Sequence, residues 1–222
     1  MGFQLVGKVW DKESFEDYLK PLDLTWAKGI TMHHTAFPDL AMRPKGFTIQ
    51  HMRNIAYGYK HSRRWSRGPH LFIDEDQIFG MSSLEERGIH AKSFNATHIG
   101  IEVLGDYDIA DDPHSGRGKL CWNTAADCVS LLLEKMKMNP SVINGHRDDP
   151  KTSKTCPGKK VDLDWFRSLL VDDRQDDDSD EEHEHEEEVE ALDKVLERCG
   201  HAIYQIEKIK SQTLETKDRL TT

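Results

Sequence analysis

The feature that most constrains this chain is a block of negative charge toward its C-terminal end. Residues 171–190 hold 13 Asp/Glu against a single Arg, a local charge of −12. Carboxylates at that density repel one another and offer almost no apolar surface, so the block cannot collapse into a core. It divides the 222 residues into a body over 1–170, an acidic linker over 171–187 and a C-terminal segment over 188–222. The formal net charge of −10 belongs to that block, because the rest of the chain carries 27 acids against 29 bases. A body of this length buries a core without a disulfide or a metal to hold it.

Composition separates the regions in the same way. All five Trp and all eight Pro fall in the body. Beyond the linker, Val189, Leu192, Leu196, Cys199, Ile203 and Ile206 recur at alternating spacings of three and four, the seam of a heptad helix. Lys210 and Thr213 interrupt it. The expected helix therefore has two equal readings: a coiled coil joining copies of the chain, or a helix packed back on the body. No run approaches the ~20 apolar residues of a membrane span. The N-terminus MGFQLVGKVWDKESF lacks the basic and apolar regions of a secretory signal, and Val6 stands where a myristoylation signal needs Ser or Thr. Four cysteines (Cys121, Cys128, Cys156, Cys199) are too sparse for a disulfide framework. The expectation is a soluble product made in the cytoplasm.

Within the body, Gly29 to Met32 reads as a strand running into His33-His34-Thr35. Thr48 is placed to cap a helix reaching Tyr59. Residues 71–73 and 77–79 flank Asp74-Glu75-Asp76 as a hairpin. Residues 98–104 alternate as a strand, and 124–138 read as a helix whose Leu131, Leu132 and Leu133 require deep burial. A short strand over 141–144 and a closing helix over 162–170 follow. Cys121 and Cys128 read as core residues in or beside the 124–138 helix. Strands alternating with helices imply an α/β (α+β) fold with a single mixed β-sheet flanked by helices.

The residues that carry chemistry sit where strands end. His33 closes the first strand, His146 follows Ser141-Val142-Ile143-Asn144, and Cys156 lies in Lys154-Thr155-Cys156-Pro157-Gly158. Two imidazoles and a thiolate are good ligands for Zn²⁺, and three protein ligands leave the fourth position open for catalysis. Taken singly, each has a plainer reading: a hydrogen-bonded histidine, or a cysteine acting as a small buried hydrophobe. No compact H-E-x-x-H spacing decides between them.

Four stretches in order do decide: ITMHHTA (30–36), GPHLFID (68–74), HAKSFNATHIGIEVLGDYD (90–108) and GHRDDPKTSKTCPG (145–158). Together they resemble the zinc-dependent N-acetylmuramoyl-L-alanine amidases, which include AmpD-type amidases, amidase-type phage lysozymes and peptidoglycan recognition proteins. The resemblance spans nearly the whole body and leaves the tail unmatched. It implies zinc held by His33, His146 and Cys156, with the cysteine siding with the phage and recognition-protein branch. It also implies Lys154 as the group that stabilises the oxyanion and Glu102 as general base. Phage lysozymes place a Tyr before the His of the GPH-like motif. Pro69 stands there in this chain, which moves the base role to Glu102. His34, His70, His90 and Asn95 recur in the motifs as residues that orient ligands, close hydrogen bonds or touch substrate.

Seven cations from Arg43 to Arg67 suit either an ordinary surface helix or a polyanion, and under the resemblance that polyanion is peptidoglycan rather than nucleic acid. The implied activity is hydrolysis of the bond between N-acetylmuramic acid and L-alanine. A phage-type endolysin that reaches the wall after release is the expectation. The alternatives are a cytosolic amidase recycling muropeptides and a module that binds peptidoglycan without cutting it.

Overall fold

A computed structural model describes residues 3–170, which form one compact unit. The acidic linker and the C-terminal helix expected from the sequence, with its coiled-coil pairing, lie outside the described residues. In chain order the elements are β1 (Val9–Trp10), α1 (Lys12–Leu19), β2 (Gly29–His34), α2 (Ile49–His61), β3 (Leu71–Ile73) and β4 (Ile78–Gly80). They continue with β5 (His98–Val103), α3 (Gly116–Met136), β6 (Ile143–Gly145) and α4 (Leu163–Ser168). The six strands form one mixed sheet in the order β1-β4-β3-β5-β2-β6. Strand β2 pairs in parallel with β5 and β6, and β3 in parallel with β5, while the β3–β4 hairpin and β1 run antiparallel. This is the single mixed sheet with flanking helices that the sequence implies.

Strand β2 is buried along all six residues, as a central parallel strand covered on both faces must be. Side chains alternate across the sheet. His33, Glu102 and Phe72 share one face by register, whereas Met32, Ile101, Val103, Leu71 and Ile73 point to the other and are buried. Helix α3 packs against β3 and β5, bringing Trp122, Val129, Leu132 and Leu133 into the core. Trp122 in turn meets Tyr107 and Phe166 edge to face, with ring centroids 5.5 and 5.1 Å apart, a favoured aromatic arrangement.

Several boundaries differ from those read in the sequence. Helix α3 begins at Gly116, eight residues before Thr124, and its first turns bury Gly118, Cys121 and Trp122. Two glycines close together argue against a helix on propensity alone, but the burial of Trp122 outweighs that cost. A Cβ at Gly118 would stand 2.0 Å from the Asp112 carbonyl oxygen, so the glycine also permits close backbone contact. Cys121 and Cys128 are buried and free, as expected of core residues. The strand expected over 141–144 starts at Ile143, because Pro140–Val142 form a 3₁₀ turn in which the Asn139 side chain accepts the Ser141 N–H. Strand β1 and helix α1 are not among the elements expected from the sequence: Asp11 and Ser14 form a reciprocal cap, but Ser14 stands where the sequence signature has Glu or Gln. No helix among the described residues is long and apolar enough to cross a membrane.

Candidate metal centre and cleft

The site is built at the C-terminal ends of three parallel strands, where α/β sheets characteristically bind ligands. In β5, β2 and β6 the register sets Glu102 opposite His33 and Gly145 opposite Met32. His146, the next residue, therefore rises beside His33. Cys156 returns on a loop whose carbonyl accepts the Arg147 N–H at 2.8 Å. The Arg147 guanidinium holds that loop by donating to the Gly158 and Val161 carbonyls at 3.0 and 2.8 Å. Ligand atoms of His33, His146 and Cys156 lie within 4.8 Å of one another, and all three residues are buried. Cys156 Sγ is 3.6 Å from His33 Nδ1 and accepts the His34 N–H at 3.4 Å.

The charge states suit metal binding. Burial, reinforced by His90, His146 and Lys154, holds His33 well below the ordinary imidazole range. Burial lowers His146 as well, so both rings keep a free lone pair at neutral pH. Burial pushes the Cys156 thiol up, helped by Glu102 and opposed by the His34 N–H and Lys154. Two neutral imidazoles and one thiol that ionises on binding form the donor set of a borderline-soft dication, and they fit zinc.

Glu102 Oε1 lies 3.9 Å from His33 Nδ1, on a side chain 16% exposed. Burial pushes its pKa up to about 8 against the pull of Lys154. Glu102 and Lys154 line a cleft of about 630 Å³, together with His33, His146, Cys156, His34 and His90.

The remaining residues singled out in the sequence divide by what they touch. His34 Nδ1 accepts the Tyr107 N–H at 3.1 Å, and its Nε2 faces Asp108 Oδ2 at 3.8 Å. His90 Nδ1 lies 3.0 Å from His33 Nε2. Burial lowers the His90 pKa to about 3. His70 does not reach the cleft. It is wholly buried, accepts the Gly100 N–H through Nδ1 and donates from Nε2 to the Glu86 carbonyl, both at 2.9 Å. Asn95 Oδ1 accepts the N–H groups of His90 and Ala91, each at 2.8 Å. Of the seven cations from Arg43 to Arg67, Arg63 lines the cleft, and Arg67 pairs with Glu86 at 2.6 Å.

Other cleft residues escaped the sequence reading. Ile55 and Tyr59 from α2, Trp65 just beyond it, Phe37 and Asp108 all line the cleft. Burial raises the Tyr59 hydroxyl, and the Glu102 charge adds to that rise. The usable signal was the apolar stripe of α2, where Met52 and Ala56 are buried and Ile49 and Tyr59 pack on the core. Phe37 is 78% exposed at the rim, and no periodicity marks such a loop residue.

Several solved structures are similar to this chain. The N-acetylmuramoyl-L-alanine amidase LysC from Clostridium intestinale URNW superposes with a TM-score of 0.50 at 22% identity, over 69% of this chain and 91% of that one. The catalytic domain of XlyA gives 0.49 at 21%, over 68% and 90%. A Drosophila PGRP-LB mutant in complex with tracheal cytotoxin gives 0.49 at 20%, over 72% and 85%. No curated protein sequence matches the chain. A family profile described as N-acetylmuramoyl-L-alanine amidase matches residues 24–159, well over half of the sequence. The stretch it matches contains every strand end that builds the cleft, and the chain accordingly belongs to the N-acetylmuramoyl-L-alanine amidase family, whose amidase activity it carries.

Proposed function

We propose that the chain is a zinc-dependent amidase of phage-endolysin type, with zinc held by His33, His146 and Cys156. The bond it cuts joins the lactyl carbonyl of N-acetylmuramic acid to the nitrogen of L-alanine in peptidoglycan. The observation that carries this reading is the buried His-His-Cys cluster with a carboxylate 3.9 Å from one ligand nitrogen. Zinc, when bound, supplies Lewis acidity toward the scissile carbonyl and the attacking water.

The chain's own groups do the rest. Glu102 takes a proton from the attacking water as its oxygen adds to the carbonyl carbon. The same carboxyl then returns that proton to the alanine nitrogen as the carbon–nitrogen bond breaks, so the carboxylate is regenerated. The Lys154 ammonium, on the cleft wall, faces the negative charge that develops on the carbonyl oxygen. The exposed Phe37 and the Trp65–Arg63 pair, with the guanidinium 5.7 Å from the ring centroid, give a glycopeptide both apolar and cationic surface. The cysteine ligand favours the endolysin reading over a muropeptide-recycling enzyme. A complete ligand set with a nearby carboxylate favours an enzyme over a binding module.

Mass spectrometry of digested peptidoglycan tests this directly. Peptides should be released from intact glycan strands, zinc should be bound one to one, and Cys156→Ala should abolish both. Cleaved glycan strands, or full lysis by metal-free Cys156→Ala, would refute the mechanism. Preference for small anhydro-muropeptides over intact sacculi would replace the endolysin role with recycling.

A further inference from the structure

We infer that His90 is a positioning residue that fixes which nitrogen of His33 faces the metal, an inference that rests on the zinc reading above. One chain of hydrogen bonds links the His98 carbonyl, His90 and His33. His90 Nε2 lies 3.1 Å from the His98 carbonyl oxygen. A carbonyl can only accept, so that nitrogen carries the hydrogen, and in a neutral imidazole the other nitrogen is then an acceptor. His90 Nδ1 is 3.0 Å from His33 Nε2, which must donate to it. His33 Nδ1 is thereby left with its lone pair, 3.6 Å from Cys156 Sγ and directed at the ligand cluster.

The surroundings of His90 are built to hold this arrangement. Asn95 Oδ1 ties down the backbone at His90 and Ala91. On β5, Gly100 leaves the room that the ring occupies, since a Cβ there would stand 2.4 Å from His90 Cγ. Metal-binding histidines usually give their second N–H to a carboxylate, a carbonyl or water. Here the acceptor is a second imidazole whose own tautomer is set by a main-chain carbonyl.

The test uses the full chain. Long-range ¹H–¹⁵N spectra of metal-free, ¹⁵N-labelled protein should show His33 protonated on Nε2. Zinc affinity, measured by chelator competition, should fall about 10–100-fold in His90→Phe, which keeps an aromatic ring but offers no acceptor. His90→Gln, which presents an amide oxygen, should recover most of that loss. Gly100→Ala, which crowds His90 without touching His33, should also weaken binding. His33 protonated on Nδ1 in the wild type would overturn the inference even if every variant failed to fold. So would His90→Phe binding zinc within about twofold of wild type. Wild-type protein that binds no zinc would sink the metal reading, while the tautomer spectrum would still decide the role of His90.

Discussion

At the scale of single residues, the zinc reading proposed above makes metal uptake depend on pH through the proton states of His33, His146 and Cys156. Burial holds His33 and His146 as neutral imidazoles at neutral pH. The same burial keeps Cys156 protonated. Zinc binding must therefore expel the Cys156 proton, and apparent affinity should climb about tenfold or more per pH unit while the thiol stays protonated, more steeply below about pH 8, where Glu102 also gives up a proton. In Cys156→Asp the carboxyl gives up its proton at lower pH than the buried thiol, so fewer protons should be released near neutral pH. Calorimetry in buffers of differing ionisation enthalpy measures the difference, and equal release from both proteins would contradict it. Glu102 poses the opposite requirement, since a base must start ionised. Its pKa of about 8 in the metal-free chain drops when a dication sits nearby. The acid limb of the pH–rate profile should therefore lie below 8. Glu102→Gln should flatten that limb and lower turnover by ~10²–10⁴ with zinc retained. An unchanged rate would move the base to another group.

Elements explain why some of the site could be read in advance and some could not. Alternation over 98–104 and the motif around His33 mark two strands, and their parallel register puts Glu102 beside His33. Singly those residues have plainer readings, and only the four motifs in order make them stand out before any fold is known. Tyr59 and Trp65 are ordinary core-forming residues in sequence, and only the packing of α2 turns them toward the cleft. The start of α3 was hidden for a related reason, because its glycines are tolerated by tertiary burial rather than by propensity. Helix α2 offers an element-scale prediction. Thr48 Oγ1 accepts the His51 N–H at 3.3 Å, and His51 Nδ1 accepts the Thr48 N–H at 3.1 Å. Thr48→Ala removes one half of this reciprocal cap and should destabilise the protein by about 1 kcal/mol in urea unfolding. An unmoved midpoint would mean that water serves the freed N–H equally well.

For the whole molecule, the decisive quantity is the partition of charge. Residues 1–170 carry 22 acids and 23 bases, whereas 171–222 carry 18 acids and 7 bases. The segment that holds the cleft is thus almost neutral, and the net charge of −10 comes from the remainder. An anionic polymer approaching the chain meets charge in residues 171–222 that the catalytic segment does not carry. Repulsion from that charge acts over about 10 Å at 0.1 M salt and about 3 Å at 1 M. A chain ending at residue 170 should therefore hydrolyse a small soluble muramoyl-peptide at the full-length rate, because every residue of the cleft is present. On isolated cell walls it should adsorb more strongly than the full chain at low ionic strength, and the two should converge as salt is raised. If the full-length protein adsorbs more tightly at every salt concentration, then residues 171–222 contribute attachment rather than repulsion. Their acidity would then have to face a cationic wall component or a partner, and the wall affinity of the enzyme would have to be sought outside the amidase segment.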